Sequence, residues 1–177
     1  EGGYMSIFNF FKRASYRPRV EVHAYKTIDG VPHILATKQN GEFAFPGGGI
    51  EEKQNAQDAA KKEMLEEAGF KINKPKKFDR ARRYTMSQRW QDQSLLRRGK
   101  SYRGVANQII QAELGDEDTH LLGKEGDEME GLRLYPVSEV ANHLQWNTRK
   151  LVFMQPDDWS QRVIPSIRSL REIEKKK

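Results

Sequence analysis

A run of three glycines at positions 47–49 is the feature that most constrains the fold of this 177-residue chain. The short segment 42–45 before it has the composition of a strand, which Pro46 and the glycines end. After the glycines, Asn55 can cap a helix that continues to about Ala68, where Gly69 is a suitable terminator. The sequence therefore predicts a strand, a flexible loop and a helix in direct succession.

Alternation of apolar and polar residues predicts a β-hairpin before this segment. Residues 20–25 alternate as a half-buried strand does. Asp29 and Gly30 form a strong turn signal, so residues 31–37 are expected to return as the second strand. Asn40 and Gly41 predict another turn before segment 42–45.

The second half of the chain predicts three more strands and two helices. Strands are expected at 78–84, 104–114 and 132–137, and the polar, basic segment between the first two is expected to be a long loop. Ser138 is expected to cap a short helix that ends at Leu144. Residues 157–174 place apolar side chains at spacings of three and four, which predicts an amphipathic C-terminal helix interrupted by Pro165.

Composition limits the classes of protein to which the chain can belong. Without cysteine it has no disulfide, no thiolate zinc site and no cysteine nucleophile. No apolar stretch approaches the ~18–20 residues needed to cross a bilayer, so we expect no membrane span and a cytoplasmic location. The net charge of +6 favours an anionic partner, whether a nucleotide, a nucleic acid or an acidic surface.

We expect one domain over residues 16–177, because no repeat, low-complexity tract or linker divides the chain. Residues 1–15 are expected to form an N-terminal extension. Its first four residues are interpreted as a remnant of expression, with Met5 as the natural start. The sequence leaves the oligomeric state open, a homodimer included.

Three carboxylates share one face of the central predicted helix. Glu63, Glu66 and Glu67 lie at positions i, i+3 and i+4, and Ala59 and Ala60 precede them in place of lysines. At ~4 Å and an effective dielectric of ~20, each like-charged pair costs on the order of 4 kcal/mol. Either the groups splay into water or a divalent cation lies among them. Mg²⁺ fits because it prefers oxygen ligands and retains several waters, but electrostatics alone leaves both arrangements open.

The surrounding sequence resembles the Nudix hydrolase signature, which is Gly, five residues, Glu, seven residues, then Arg-Glu-apolar-any-Glu-Glu-any-Gly-apolar. Seven of nine specified positions agree here, and the nine residues are Gly48, Gln54, Lys62, Glu63, Met64, Glu66, Glu67, Gly69 and Phe70. The resemblance implies an α/β fold, an α/β/α sandwich with a mixed sheet and a loop-helix-loop catalytic motif. It also implies hydrolysis of the pyrophosphate bond of a nucleoside di- or triphosphate derivative, with Mg²⁺ or Mn²⁺ as cofactor.

The resemblance also implies roles for individual residues. Those implied for catalysis are Glu63, Glu66, Glu67 and Lys62. Those implied for the metal are the same three glutamates and the backbone carbonyl of Gly47. The substrate diphosphate is expected to lie over the glycine loop, at Gly48 and Gly49, because backbone without a Cβ can approach phosphate closely.

Two residues depart from the signature. Gln54 stands where the signature has a carboxylate, so a metal-binding or proton-accepting role there is lost, and Glu51 or Glu52 is a candidate replacement. Lys62 keeps the charge of the signature's arginine but lacks its bidentate fork, so we expect it to orient the carboxylates less rigidly. These departures keep a second hypothesis open, a catalytically weak module that binds nucleotide or RNA.

A further ligand or base is expected from a loop after the helix. Glu125, Glu128 and Glu130 lie in an acidic run, and Glu125 has the most loop-like neighbours. The alternative is that these acids are only solvated. Neither His23 nor His33 has metal-ligand spacing, and both are expected to be ordinary strand residues.

The segment 71–103 is strongly basic, with twelve lysines and arginines against two aspartates and therefore a net charge of +10. Arg83 and Tyr84 within it are our candidates for substrate binding, since aromatic rings interleave with the cations. The segment is either a solvated loop or a phosphate-steering rim for a polyanionic substrate. In the second case the substrate could be the 5′ end of an RNA, so a pyrophosphohydrolase or decapping activity on RNA is the alternative within the enzyme class.

Overall fold

The structure is a computed structural model that describes residues 15–117, 131–151 and 158–176. Over these ranges the chain forms six strands and four helices. The strands are β1 (Ser15–Ile28), β2 (Val31–Gln39), β3 (Glu42–Ala44), β4 (Phe70–Thr85), β5 (Tyr102–Glu117) and β6 (Arg133–Pro136). The helices are α1 (Ala56–Glu63), α2 (Gln88–Arg98), α3 (Val137–Leu151) and α4 (Asp158–Glu174), and α1 continues into a π-helical turn, Met64–Ala68. Of the predicted N-terminal extension, residues 1–14 lie outside the described ranges.

The strands form one mixed sheet in the order β3-β2-β1-β5-β4, with β6 also paired to β2. β1 and β5 are parallel, and the other pairs are antiparallel. Two parallel neighbours in a sheet need a long connection between them. The chain between β1 and β5 provides it, and this connection includes the glycine loop and α1. The predicted mixed sheet is confirmed.

Both predicted hairpin turns are present. Asp29 and Gly30 have φ values of 50° and 77°, and Asn40 and Gly41 have φ values of 49° and 81°. Two successive residues at positive φ match the right-handed twist of paired strands, and Asn, Asp and Gly tolerate this conformation best. The turns fix β2 against β1 and β3 against β2.

Helices cover both faces of the sheet, so the expected α/β/α sandwich is confirmed. On one face, α1 and the π-helical turn after it bury alanines and Met64 against apolar side chains of β1, β2 and β5. On the other, α3 and α4 bury Val140, Leu144, Leu170 and Ile173 against β2 and β3. The predicted C-terminal helix is present as α4, which continues without a break past Pro165. Within the three described ranges, no helix is both long and apolar enough to cross a bilayer.

The expectation of a long loop between the fourth and fifth strands is wrong. β4 begins at Phe70, directly after the helical turn, and α2 occupies residues 88–98. β4 is an edge strand, where lysines and arginines remain exposed, so its apolar alternation is weak. α2 is capped by Ser87 and ended by Gly99 in the left-handed conformation. Only Ser94 of this helix is buried, so no apolar stripe marked it in the sequence.

The predicted cap at Ser138 is also wrong. The strand at 132–137 is confirmed as β6, but α3 already begins at Val137 and continues to Leu151, past the predicted end at Leu144. Val137 is fully buried in the core between sheet and helices. The helix therefore begins two residues earlier than a cap at Ser138 would place it.

Candidate active site

The glycine loop is bonded to the first half of β1. The amide of Val22 donates to the carbonyl of Pro46 at 2.8 Å, and the amide of Val20 donates to that of Gly48 at 2.9 Å. Ile50 donates in turn to the carbonyl of Pro18 at 3.0 Å. Three backbone bonds therefore hold the loop in a fixed path along β1, beside the end of α1.

Two glycines of the loop lie where a side chain would collide. A Cβ on Gly47 would lie 2.2 Å from the carbonyl oxygen of Val20, and a Cβ on Gly48 would lie 2.2 Å from the carboxyl carbon of Glu63. The amide of Gly47 donates to Oε2 of Glu67 at 2.9 Å. The structure thus brings the predicted glycines and two of the predicted glutamates into direct contact.

The glutamates lie where α1 changes its winding. Asn55 caps the helix as predicted, since its side chain accepts from the amide of Asp58 at 2.8 Å. Glu63 ends α1, whereas Glu66 and Glu67 lie in the π-helical turn. Gly69 then ends the helix in the left-handed conformation at φ 68°, as predicted. Single π-turns within helices are rare and occur frequently at functional sites.

The carboxylates repel one another as expected. Burial raises the pKa of Glu63, the neighbouring charge of Glu66 raises it further, and Lys62, Arg19 and Arg17 oppose both effects. Within the described ranges, no group of three or more His, Asp or Glu side chains converges closely enough to hold a metal ion. Glu63 and Glu67 both reach the glycine loop, but in this part of the chain the three glutamates do not form a closed set of ligands.

The two residues that depart from the signature contact the same loop. Lys62 donates to Oε1 of Glu51 in an ion pair. Gln54 accepts a hydrogen bond from the amide of Glu51 at 3.0 Å, so it fixes the turn between loop and helix. The ion pair with Glu51 raises the pKa of Lys62, and the charge of Glu66 raises it further. Of the two candidates Glu51 and Glu52, Glu51 is the residue that Lys62 engages.

A cleft of about 550 Å³ opens beside Glu63. Its other lining residues include the loop residues Gly49, Ile50, Glu51 and Glu52 and the basic residues Arg17, Arg98 and Lys100. Partial burial lowers the pKa of Arg17, and the charges of Arg98 and Arg19 lower it further. Several cations held at close range beside a carboxylate form a site suited to a phosphorylated ligand.

The remaining predicted residues lie in different places. Gly49 lines this cleft, and its Cβ would lie 2.6 Å from a terminal nitrogen of Arg17. Tyr84 lines a second cavity, of about 380 Å³. Arg83 lies over the ring of Tyr16 at 5.6 Å and lines a third cavity. Glu125, with Glu128 and Glu130, lies outside the described residues.

A buried polar network on β1 was missed from the sequence. His23, expected to be an ordinary strand residue, is fully buried, with Nδ1 2.8 Å from Oγ of Ser169 and Nε2 2.8 Å from Oε1 of Glu21. Ser166 donates to the same oxygen of Glu21 at 2.7 Å, and Asn107 donates to its Oε2 at 3.2 Å. The signal was the alternation of β1, which places polar residues at 17, 19, 21 and 23 on one face.

Hydrogen bonds decide the charge state of Glu21. Burial alone would raise its pKa, but the bond and charge of His23, the bond from Ser166 and the charge of Arg19 outweigh burial. The pKa of Glu21 is lowered to about 2. An ionised carboxylate therefore lines the cavity of about 380 Å³ that Arg19, Tyr84 and Ser166 also line.

Comparison with known proteins identifies relatives of this fold. A sequence profile described as NUDIX domain matches residues 17–155. A NUDIX hydrolase from Nitrosomonas europaea is similar in structure with a TM-score of 0.55 at 12% identity, covering 90% of this chain and 91% of that one. An ADP compounds hydrolase gives 0.49 at 22% identity, with 90% and 74% covered. The Ap4A hydrolase of C. elegans gives 0.47 at 11% identity, with 89% and 96% covered. No protein with curated function matches the sequence.

Proposed function

Because the chain belongs to the NUDIX domain family and is an enzyme of the pyrophosphohydrolase type, we propose that it cleaves a nucleoside di- or triphosphate derivative with the help of Mg²⁺. In this reaction, water attacks one phosphorus atom of the pyrophosphate group. The bond from that phosphorus to the bridging oxygen breaks, so each product carries one side of the anhydride as a phosphate. We propose Glu63, Glu66 and Glu67 as the carboxylates that support the reaction.

The contact of the glycine loop with the carboxylates carries this proposal. At Gly48, the space next to the loop is filled by the carboxylate of Glu63 and has no room for a Cβ. At Gly47, the amide is bonded to Glu67. A ligand that approaches the loop backbone thus meets two acidic groups at once, which is the arrangement that a phosphate bound through a cation requires.

The donors present suit Mg²⁺. This ion is usually held by one or two carboxylates together with substrate phosphates and waters, not by a closed protein cage. Glu63 and Glu67 both contact the glycine loop, so two carboxylates lie beside one stretch of backbone that phosphate can approach. We propose that Glu63 and Glu67 would hold the ion and that Glu66 lies beside them, with Mn²⁺ as an alternative. When bound, the ion would neutralise phosphate oxygens and lower the pKa of a coordinated water.

The chain's own residues supply the remaining functions. Arg17, Arg98 and Lys100 line the cleft beside Glu63, where they would bind the substrate's phosphates and hold the pyrophosphate over Gly49. Burial and the charge of Glu66 raise the pKa of Glu63, and a cation bound beside it would favour the ionised carboxylate.

Lys62 and Glu51 are proposed as positioning residues. Their ion pair keeps the ammonium group of Lys62 engaged beside the carboxylate face of the helix. Without Glu51, Lys62 would be free to pair with Glu63 or Glu66, whose charges it already senses. We propose that Glu51 thereby keeps Lys62 from pairing with the carboxylates Glu63 and Glu66.

The function is tested by turnover with and without Mg²⁺. The panel comprises nucleoside triphosphates, sugar nucleotides, dinucleoside polyphosphates and 5′-triphosphorylated RNA. We expect Mg²⁺-dependent release of phosphate products from at least one member. Glu63→Gln and Glu67→Gln should abolish most of the turnover, whereas Glu172→Gln, an exposed carboxylate on α4, should not change it.

Failure has a defined meaning in this experiment. No turnover of any substrate, with nucleotide binding retained, would favour the alternative of a catalytically weak binding module. Turnover that survives in Glu67→Gln would show that the carboxylates are misassigned. The cytoplasmic location, Glu125 as a further ligand and the oligomeric state stay predictions.

A further inference from the structure

One cross-strand pair joins the cavity of about 380 Å³ to the cleft beside Glu63. Arg19 of β1 lines the cavity, Gly49 lines the cleft, and these two residues form an isolated antiparallel bridge. Bridge partners have Cα atoms about 5 Å apart, and Gly49 has no side chain that could separate the two spaces. A ligand in the cleft can therefore extend across Gly49 into the cavity.

The face of β1 gives the length of this path. Arg17, Arg19 and Glu21 alternate along the strand, so their side chains lie on the same face of the sheet. Arg17 lines the cleft, and Glu21 lines the cavity. At about 3.3 Å per residue, the Cα atoms of these two residues lie about 13 Å apart. This span suits an extended molecule with a pyrophosphate at one end and an organic group at the other.

Arg19 acts on both spaces. Its charge is felt by Glu21 on the cavity side and by Glu63 on the cleft side. Its Nε is buried without a hydrogen-bond partner among the described residues. A buried donor is costly unless an acceptor satisfies it, and phosphate oxygens are strong acceptors for a guanidinium group. Arg19 is therefore suited to hold the phosphate next to the organic group.

Three aromatic residues, Phe43, Phe45 and Tyr84, line the cavity. Flat aromatic ligands stack on rings of this kind. The volume of the cavity lies within the range of small-molecule sites, which are usually apolar with a few fixed polar groups. The cavity thus favours a flat ring over a flexible or fully hydrated group.

Glu21 presents an ionised carboxylate to this cavity. Its Oε1 accepts from Ser166 at 2.7 Å and lies 2.8 Å from Nε2 of His23. Its Oε2 accepts from Asn107 at 3.2 Å. A carboxylate offers about four lone-pair sites, so these contacts within the described residues leave one site on Oε2 for a ligand. The side chain keeps 18% of its surface exposed, which places that site within reach of the cavity.

We propose that the cavity binds the base of the nucleotide substrate and that Glu21 selects bases that carry an exocyclic amino group. The inference deepens the proposed function and rests on it for the placement of the pyrophosphate in the cleft. An amino group can donate to Oε2 while the ring stacks on the aromatic walls. The carboxylate repels the carbonyl oxygens that flank the ring N–H of uracil. It repels a further phosphate too, so the pyrophosphate stays on the cleft side of Arg19.

Binding of nucleoside monophosphates in EDTA tests the cavity without catalysis, and isothermal titration calorimetry gives Kd. Two pairs of ligands differ only in the amino group, namely adenosine against purine riboside and guanosine against inosine. In at least one pair, the amino-bearing member should bind roughly 10- to 100-fold more tightly, as expected for a hydrogen bond to a charged acceptor. Equal affinities within both pairs would overturn the proposal. So would ribose 5-phosphate that binds as tightly as the best nucleotide, because sugar hydroxyls would then account for the binding.

Two variants assign the preference to one carboxylate. Glu21→Gln should reduce the ratio of the two Kd values roughly tenfold, because an uncharged acceptor forms a weaker bond. Glu42→Gln is the matched control, since Glu42 also lines the cavity but is 49% exposed, and it should keep the ratio. A ratio within one protein does not depend on the fraction that is folded, so lower stability of Glu21→Gln does not affect the comparison. An unchanged ratio in Glu21→Gln, or a lost ratio in Glu42→Gln, would overturn the proposal.

The two proposals fail in different ways. Amino-dependent binding of monophosphates, with no Mg²⁺-dependent turnover of any pyrophosphate compound, would refute the proposed function and leave selection by Glu21 standing. Mg²⁺-dependent turnover, with affinities indifferent to the amino group, would refute this inference alone.

Discussion

Replacing Gly48 by alanine should disable the enzyme without unfolding it. The new Cβ would lie 2.2 Å from the carboxyl carbon of Glu63 and 2.3 Å and 2.4 Å from its oxygens. Ordinary contacts begin near 3.4 Å, so the carboxylate must move by more than about 1 Å. Because the obstacle is the end of a flexible side chain, Glu63 can swing away while the backbone stays in place.

The expected loss follows from this displacement. A misplacement of about 1 Å in a catalytic group can reduce the rate about 100-fold, which corresponds to roughly 2.7 kcal/mol of transition-state stabilisation. We expect the change mainly in kcat and in the Mg²⁺ concentration for half-maximal activity. The thermal midpoint should remain close to that of the wild type.

The assay compares Gly48→Ala, Gly47→Ala, Glu63→Gln and the double variant Gly48→Ala/Glu63→Gln for Mg²⁺-dependent turnover and thermal unfolding. Gly47→Ala is the contrasting variant, because its Cβ would meet the backbone oxygen of Val20 at 2.2 Å and the loop itself must shift. That variant should lose stability as well as activity. In a Glu63→Gln background, Gly48→Ala should add little to a loss already incurred, since both changes act on one group. Full activity in Gly48→Ala, or losses that add independently in the double variant, would refute the reasoning.

Three further predictions concern the surrounding charges. Glu51→Gln should lower kcat roughly tenfold and leave thermal unfolding unchanged. It should also move the acid limb of the pH–rate profile to lower pH, because Lys62 would then pair with Glu63. An unmoved profile would contradict the positioning role. Glu21 has a folded pKa of about 2, below its ordinary value of 4.5, so its stabilisation is complete above pH 4.5 and is lost as pH falls towards 2. Glu21→Gln should therefore cost about 3 kcal/mol near pH 7 and flatten that acid dependence, and equal urea midpoints at pH 7 would refute this. The Michaelis constant for a nucleoside triphosphate should rise with salt and do so less steeply in Arg98→Gln; identical slopes would remove Arg98 from phosphate binding.

Local signals explain which parts of the fold could be predicted from the sequence. Asp29-Gly30 and Asn40-Gly41 require positive φ values, and Asn55 and Gly69 mark the ends of a helix, so each feature is determined within a few residues. α2 was missed because a helix that lies exposed on the surface needs no apolar stripe. β4 was underestimated because an edge strand can be rich in lysine.

The site could be predicted only in part for a related reason. The signature locates Glu63, Glu66 and Glu67 along the chain, but it does not reveal the π-turn that contains Glu66 and Glu67 and buries Met64 and Ala68 in the core. Tertiary contacts of this kind leave no local pattern in the sequence. The same holds for contacts between distant segments, such as Arg17 beside α2.

The network around Glu21 shows this limit most clearly. His23 joins Glu21 on β1 to Ser169 on α4, a residue 146 positions away. Only the polar alternation of β1 hints at it in the sequence, and alternation cannot name the partner on α4. His23 lies on a strand as predicted, but its hydrogen bonds to Glu21 and Ser169 could not be foreseen from that position.

Binding of a divalent ion at the glutamates is the central claim, and a direct titration tests it. Mn²⁺ is added to the protein together with a non-hydrolysable diphosphate compound, and free ion is followed by its electron paramagnetic resonance signal. The account predicts stoichiometric uptake by the wild type and by Glu172→Gln, and a strong loss of uptake in Glu63→Gln and Glu67→Gln. Equal uptake by all four proteins, or none by the wild type, would contradict it.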